Sequence, residues 1–191
     1  MAVLIAARAA PVDDDQPPFL VAPTHAPATQ SIEESRDPTA SDPETAPRSF
    51  GEAPATLASL VAEVRHHAMA TFGPDGECLA RAVYWEAKGE PLEGQLAVAE
   101  VILNRVERGR FGRSVCEVVT APGQFSFVER GRIPEPQDRR RFAQARAIAW
   151  IALAEAWPSV VGEATHFHAL HVNPGWRLTR VARIGNHVFY R

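Results

Sequence analysis

Two glutamates, Glu86 and Glu90, are the residues best suited to acid–base chemistry in this chain. They lie four positions apart, a spacing that makes two side chains neighbours on a continuous helix, although the intervening Gly and the following Pro predict a break. Glu86 stands beside Tyr84 and Trp85. Apolar and aromatic surroundings raise the pKa of a carboxyl group, which suits a general acid near neutral pH. The alternative is a solvated pair, with Glu90 at a helix start where the dipole favours an acid.

Three histidines, His166, His168 and His171, crowd one short segment. On a strand, the first two share a face and the third points to the other side. With His187 or an acid they would suit zinc, so a zinc-dependent amidase or peptidase is an alternative function. Neither His-Glu-x-x-His nor Cys-x-x-Cys occurs, and we expect no metal or other cofactor.

Polar and aromatic residues alternate at Gln124, Phe125 and Ser126, and Trp176 follows a second turn. Such side chains can line a saccharide groove, because an aromatic ring offers a stacking face and an amide both donates and accepts. The alternative is that the aromatic residues only anchor their loops. Gly-x-Gly-x-x-Gly, P-loop and Gly-x-Ser-x-Gly motifs do not occur, which disfavours nucleotide binding and serine-hydrolase chemistry.

Cys78 and Cys116 are the two cysteines of the chain. In an oxidising compartment they could form one disulfide between a first helix and the segment after the second. Two buried thiols are the alternative.

The apolar pattern predicts helices first and strands last. Helical spacing begins at Leu57 and continues over 77–88, 91–108 and 138–157, while 114–120 is a short helix or extended segment. Strand-like runs follow over 165–172, 178–184 and 187–190, the last two joined by a Gly-Asn hairpin turn. This order predicts an α+β fold with a helical core and a small C-terminal antiparallel sheet.

Composition divides the 191 residues into two unlike regions. Residues 1–65 hold 10 acidic and 4 basic residues, and nine of the 16 prolines lie between Pro11 and Pro54, so we expect a disordered acidic tail. Residues 66–191 form the predicted folded domain, with 13 acidic and 16 basic residues. That weak positive charge is not a basic stripe, which argues against nucleic acid but suits an anionic polymer.

No apolar run is long enough for a transmembrane helix. The run from Val3 to Ala7 is shorter than a secretory signal requires and lacks a basic start. The chain therefore offers no convincing signal peptide, and the two alternatives are the remnant of a signal whose start lies upstream and an ordinary N-terminal segment.

One continuous segment of the sequence is more specific than the separate motifs. The segment from Cys78 to Val106, with Glu-Ala-Lys-Gly-Glu-Pro from Glu86 to Pro91, closely resembles the opening of the SleB-type cell wall hydrolase domain, the catalytic domain of spore cortex-lytic enzymes. Further blocks follow in order at 115–119, 124–127, 164–168, 173–176 and 184–190. The resemblance covers about residues 76–191.

The resemblance implies a lysozyme-like domain that cleaves peptidoglycan between N-acetylmuramic acid and N-acetylglucosamine. The enzyme would be a lytic transglycosylase or a muramidase, with Glu86 as the general acid and base. Tyr84, Gln124, Ser126 and His168 would then hold sugar groups. Glu90 need not be catalytic, and would either cap the second helix or form hydrogen bonds near the substrate.

The expected substrate places the protein in the cell envelope or periplasm, or outside the cell, and we expect it to act on glycan strands as a monomer. Gly123 departs from family members that carry a cysteine before the Gln-Phe-Ser block, so a disulfide through that position is absent. A non-catalytic wall-binding module, with Glu86 only structural, is the remaining alternative.

Overall fold

The computed structural model of this chain describes residues 56–67 and 72–191. Within them, five helices precede three strands: α1 (Leu57–His67), α2 (Pro74–Ala87), α3 (Leu92–Arg108), α4 (Val115–Thr120), α5 (Arg139–Leu153), β1 (His166–Ala169), β2 (Arg180–Ile184) and β3 (His187–Tyr190). This order confirms the predicted α+β class.

The first helix, α1, is the lead-in helix that the spacing of apolar residues predicts. Leu57, Leu60, Val61 and Val64 are buried in the same core as the later helices. The boundary predicted at residue 65 therefore falls within α1. Of the predicted tail, residues 1–55 lie outside the described residues.

Helices α2 and α3 meet at the turn that carries both candidate glutamates. Pro74 occupies the first turn of α2, where a missing N–H costs nothing, so the helix begins three residues earlier than predicted. At the turn, Gly89 adopts φ 98°, which a residue without Cβ tolerates. Leu92 then opens α3, which is buried on nearly every side, as its composition predicts.

Helix α5 closes the helical layer against α1, α2 and α3. The Asp138 side chain accepts hydrogen bonds from the backbone N–H groups of Arg140 and Arg141, which confirms it as the N-cap. The helix ends at Leu153 rather than at Trp157, because Ala154 is its C-cap and the next residue, Glu155, adopts φ 48°, which does not continue a right-handed helix.

The sheet has the strand order β1-β3-β2, and both pairings are antiparallel. The turn at Gly185 and Asn186 joins β2 to β3 as the sequence predicts. In β3, the central strand, His187, Val188 and Phe189 are all buried. β1 is shorter than predicted and ends at Ala169, before His171.

A disulfide joins Cys78 of α2 to Cys116 of α4. The sequence leaves open whether these cysteines form a disulfide or two buried thiols. The structure has the disulfide. Among the described residues, none of the helices has the length and apolar character to cross a membrane.

Candidate active site

Glu86 lies in the last turn of α2 and is half-buried. Burial raises the pKa of its carboxyl group, and the charge of Arg105 opposes that rise. Within the described part of the chain, no protein group donates a hydrogen bond to this carboxylate. Glu86 is therefore a carboxyl group that keeps its proton to higher pH than usual and whose oxygens are available to a ligand.

Arg105 of α3 is the charged residue that acts on Glu86, and it is only 7% exposed. Its Nε donates to the carbonyl oxygen of Thr165 at 2.8 Å, and its Nη1 lies 3.4 Å from Oε1 of Gln124. Burial lowers the pKa of Arg105 to about 10, so it remains a cation at neutral pH. Arg105 is not among the predicted site residues, although its helical spacing from Val98, Val101 and Ile102 places it on a buried face of α3.

The predicted sugar-binding residues in the loop after α4 differ in their exposure to solvent. Gln124 is half-buried and faces Arg105, and Ser126 is exposed. Phe125 is only 4% exposed and packs into the core, so it cannot offer a free face to a sugar. Its ring lies 5.7 Å from the guanidinium carbon of Arg105 and forms part of the wall around that cation.

His168 and Trp176 belong to an aromatic cluster at the end of the sheet. Nδ1 of His168 lies 2.9 Å from the carbonyl oxygen of Ala169, and Nε2 lies 2.9 Å from the hydroxyl of Tyr190. A carbonyl can only accept, so Nδ1 donates, and in neutral His168 Nε2 accepts from Tyr190. Both ring nitrogens are thus engaged within the protein, whereas Trp176 is half-buried and packs edge-on against His166, His168 and Tyr190.

Tyr84, another predicted sugar contact, points into the helical core. It is 4% exposed, and its hydroxyl accepts hydrogen bonds from the backbone N–H groups of Gln137 and Asp138 at 3.2 and 3.1 Å. This placement favours a role in holding the segment before α5.

Glu90 is hydrogen-bonded to the hairpin turn between β2 and β3. Its two carboxylate oxygens accept hydrogen bonds from the backbone N–H and the side-chain amide of Asn186, at 2.8 and 3.0 Å. Nδ1 of the buried His187 lies 4.0 Å from Glu90 and has no hydrogen-bond partner. The geometry therefore gives Glu90 a structural task and leaves Glu86 as the carboxyl group with free oxygens.

The histidines predicted as alternative zinc ligands are not arranged as a ligand set. Nδ1 of His166 lies 2.9 Å from the hydroxyl of Thr165, both nitrogens of His168 are engaged, and His171 is exposed beyond β1. In residues 56–67 and 72–191, no three His, Cys, Asp or Glu side chains come together as potential metal ligands.

A family model described as Cell Wall Hydrolase matches residues 89–190, more than half of the chain. The chain belongs to this family of cell wall hydrolases. The match begins three residues after Glu86, so the assignment of that residue rests on its environment and on the resemblance of the surrounding sequence.

Curated relatives of this cell wall hydrolase are spore cortex-lytic enzymes. The protein of Oceanobacillus iheyensis is 39% identical over 118 residues, which cover 60% of this chain and 41% of that protein. The protein of Bacillus subtilis is 37% identical over 124 residues, covering 60% and 37%. The chain thus spans less than half the length of the curated relatives that it matches.

Two solved structures share the fold of this cell wall hydrolase. The catalytic domain of the Bacillus cereus SleB protein matches with a TM-score of 0.53 and 32% identity, covering 61% of this chain and 89% of that domain. The catalytic domain of a germination-specific lytic transglycosylase, SleB from Bacillus anthracis, matches with a TM-score of 0.54 and 30% identity, covering 64% and 98%. The chain therefore contains nearly the whole of these catalytic domains.

Proposed function

We propose that this cell wall hydrolase cleaves the glycan strand of peptidoglycan, at the bond between N-acetylmuramic acid and N-acetylglucosamine, with Glu86 as the catalytic acid and base. The observation that carries this proposal is the state of Glu86, a carboxyl group with a raised pKa and no hydrogen-bond donor among the described residues. A carboxyl group that keeps its proton to higher pH than usual can give that proton to a leaving oxygen. The family and the names of the relatives indicate the same class of substrate.

One carboxyl group is enough for a lytic transglycosylase. Glu86 donates its proton to the glycosidic oxygen as the bond from that oxygen to the anomeric carbon of N-acetylmuramic acid breaks. The carboxylate then takes the proton of the 6-hydroxyl of the same sugar, whose oxygen closes on the anomeric carbon. The products are a chain with a free 4-hydroxyl and a 1,6-anhydro end, and Glu86 regains its proton without consuming water.

The hydrogen bonds of Glu90 favour lytic transglycosylation over hydrolysis with two catalytic carboxylates. A hydrolase with a second catalytic carboxylate needs that group free to act on water or on the sugar, whereas both oxygens of Glu90 are bonded to Asn186. One of the similar solved structures is that of a lytic transglycosylase. Muramidase-type hydrolysis by water is the nearest alternative.

Gln124, Ser126 and Trp176 remain the proposed sugar contacts. Gln124 lies beside Arg105, Ser126 is exposed, and Trp176 is half-buried at the end of the sheet. His168 would act through its ring face, because both of its nitrogens are bonded within the protein.

We place the protein in the cell envelope, in the periplasm or outside the cell, where peptidoglycan is accessible, and we propose that it acts as a monomer. A disulfide suits such an oxidising compartment. The acidic, proline-rich segment before α1 would serve as a tether, with the folded domain beginning at Leu57.

Digestion of purified peptidoglycan tests this proposal. The full chain is incubated with the polymer, with and without a chelator, and the products are analysed by mass. Anhydro-muropeptides that form equally with chelator support the proposal, and reducing ends would indicate hydrolysis instead. Released peptides, dependence on metal, or binding without cleavage would contradict it, and would favour the amidase, the peptidase or the non-catalytic module.

A further inference from the structure

The charges of the folded domain are unevenly distributed along the chain. Residues 66–163 hold 13 acidic and 12 basic residues, whereas residues 164–191 hold four arginines and no Asp or Glu. The four are Arg177, Arg180, Arg183 and Arg191, and all of them are exposed. Among the described residues, none of these arginines forms a salt bridge with an Asp or Glu side chain. The excess positive charge of the domain is therefore concentrated around the sheet.

The strand register places two of these arginines on one face of the sheet. Residues paired across neighbouring strands point to the same face. Phe167, Phe189 and Ala182 are paired in this way and pack against the core. The outer face is formed by the other paired positions, His166 and His168 of β1, Tyr190 and Val188 of β3, and Arg180 and Arg183 of β2. This face therefore combines aromatic rings with guanidinium groups on the edge strand.

The aromatic part of the outer face contains two of the proposed sugar contacts. The ring of His168 stacks on that of Tyr190, with the ring centres 5.3 Å apart and the planes at 25°. Trp176 packs edge-on against both rings, with centre-to-centre distances of 5.7 and 5.8 Å. The arginines of β2 thus lie beside aromatic side chains of the kind that contact sugars.

The outer face also continues towards Gln124, another proposed sugar contact. The ring centres of His166 and Phe111 lie 5.8 Å apart, and the guanidinium carbon of Arg105 lies 5.3 Å from the ring centre of Phe111. Nη1 of Arg105 in turn lies 3.4 Å from Oε1 of Gln124. This series of contacts joins the sheet to the loop after α4, so a glycan strand held at Gln124 can extend over the outer face.

A structural role does not explain why both charges on β2 are positive. β2 is an edge strand of the sheet, and charged side chains on an edge discourage pairing with another chain. Charges of either sign have this effect. Arg180 and Arg183 pair with β3 positions two residues apart, which corresponds to about 7 Å along the strand. Two like charges are therefore kept close together, and an anionic ligand would relieve their repulsion.

We propose that the outer face of the sheet is a subsite for the peptide stems of peptidoglycan, in which Arg180 and Arg183 bind carboxylates of the stem. A guanidinium group matches the geometry of a carboxylate and donates two parallel hydrogen bonds to it. The neighbouring aromatic rings contact the sugar that carries the stem. This inference rests on the proposed function, because it names a further part of the same substrate.

Binding to purified, insoluble peptidoglycan measures this subsite. Every protein in the assay carries Glu86→Gln to limit cleavage, and the polymer is stripped of phosphate-containing wall polymers. The test variant is Arg180→Gln with Arg183→Gln. The matched control is Arg139→Gln with Arg140→Gln, which removes the same charge from exposed positions at the start of α5. We expect the test variant to bind roughly 3- to 10-fold more weakly, and the control to stay within about twofold of the parent.

Amidation of the stem carboxylates identifies the ligand. The parent protein should bind amidated peptidoglycan more weakly by a similar factor, and Arg180→Gln with Arg183→Gln should cause no further loss there. Equal binding of the test variant and the control to untreated peptidoglycan overturns the proposal. A loss that is as large on the amidated polymer, or that appears only before the phosphate-containing polymers are removed, overturns it as well.

The amidation experiment also decides the case if the arginine variant does not fold, because the parent protein keeps both arginines. Undiminished binding of the parent to amidated peptidoglycan then overturns the proposal. Failure of the proposed function gives a different result. If wild type forms no anhydro-muropeptides while the carboxylate-dependent binding persists, only the proposed cleavage is overturned.

Discussion

Glu90 accepts two hydrogen bonds from Asn186, a residue 96 positions further along the chain. These hydrogen bonds connect the turn between α2 and α3 to the turn between β2 and β3. The carboxylate is largely buried, with 10% of the side chain exposed. This contact holds the sheet next to the helix that carries Glu86, so it is a condition for the site rather than a part of the chemistry.

We expect Glu90→Gln to destabilise the domain by about 1–3 kcal/mol, because the amide NH2 of Gln would face a donor of Asn186 and leave it unsatisfied. Urea denaturation measures the free energy of unfolding. Glu93→Gln is the matched control, since Glu93 is exposed in the first turn of α3. Equal stability of the two variants would show that the Glu90 contact contributes nothing.

Gly185 is expected to tolerate no side chain, because it lies against the same carboxylate. It adopts φ 54°, and a Cβ built there overlaps Oε2 of Glu90 and comes within 2.9 Å of Cδ of Pro91. Gly131 is a matched control, with φ 73° and open space around the Cβ position. Gly185→Ala should lower the melting temperature clearly more than Gly131→Ala, because only the first substitution adds a clash to the backbone strain. Similar decreases in melting temperature in the two variants would mean that the contact between Gly185 and Glu90 leaves room for a methyl group.

The disulfide should contribute substantially to stability. It closes a segment with a sequence separation of 38 residues, and loop-closure entropy predicts about 3–4 kcal/mol for such a length. We expect the double variant Cys78→Ser with Cys116→Ser to unfold at correspondingly lower urea concentration. A reducing agent should lower the stability of wild type and leave the double variant unchanged. A wild type insensitive to reduction would contradict the bond.

Glu86 should make the domain less stable as the pH rises. Burial raises the pKa of its carboxyl group in the folded state, so the folded protein binds this proton more tightly than the unfolded chain. Stability is therefore lost as the pH rises from the unfolded pKa through the folded one. In Glu86→Gln that loss is absent. The free energy of unfolding of the variant should therefore increase relative to that of wild type as the pH rises from 4 to 8. A constant difference over this range would show that the Glu86 environment is not apolar.

The sequence predicts the elements of this fold where short-range signals decide them. Asp138 lies directly before a helix whose first N–H groups it can accept, and Gly185 with Asn186 forms a two-residue hairpin turn. Both depend on residues close in the chain. The length of β1 and the end of α5 were predicted less well, since apolar residues continue beyond the last paired or helical position.

The candidate site could be predicted only in part, because its contacts connect distant segments. Arg105 donates a hydrogen bond to the carbonyl oxygen of Thr165, 60 positions away, and the sequence of α3, which also contains Arg108, does not indicate which distant residue that partner is. Phe125 resembles a surface aromatic in the sequence, although the loop turns it inward. The raised pKa of Glu86 agrees with the apolar surroundings that Tyr84 and Trp85 predict for it, whereas its catalytic role stays a prediction that came from the resemblance of the surrounding sequence.

The proposed role of the Glu86 carboxyl group in glycan cleavage is tested most directly by the cleavage rate of Glu86→Gln on purified peptidoglycan. Gln is close in size and cannot donate or accept the catalytic proton, so the rate of formation of anhydro-muropeptides should fall by at least about 100-fold while the variant remains folded. Glu93→Gln is the control and should keep the wild-type rate. Anhydro-muropeptide formation by folded Glu86→Gln at a rate close to wild type would contradict the account.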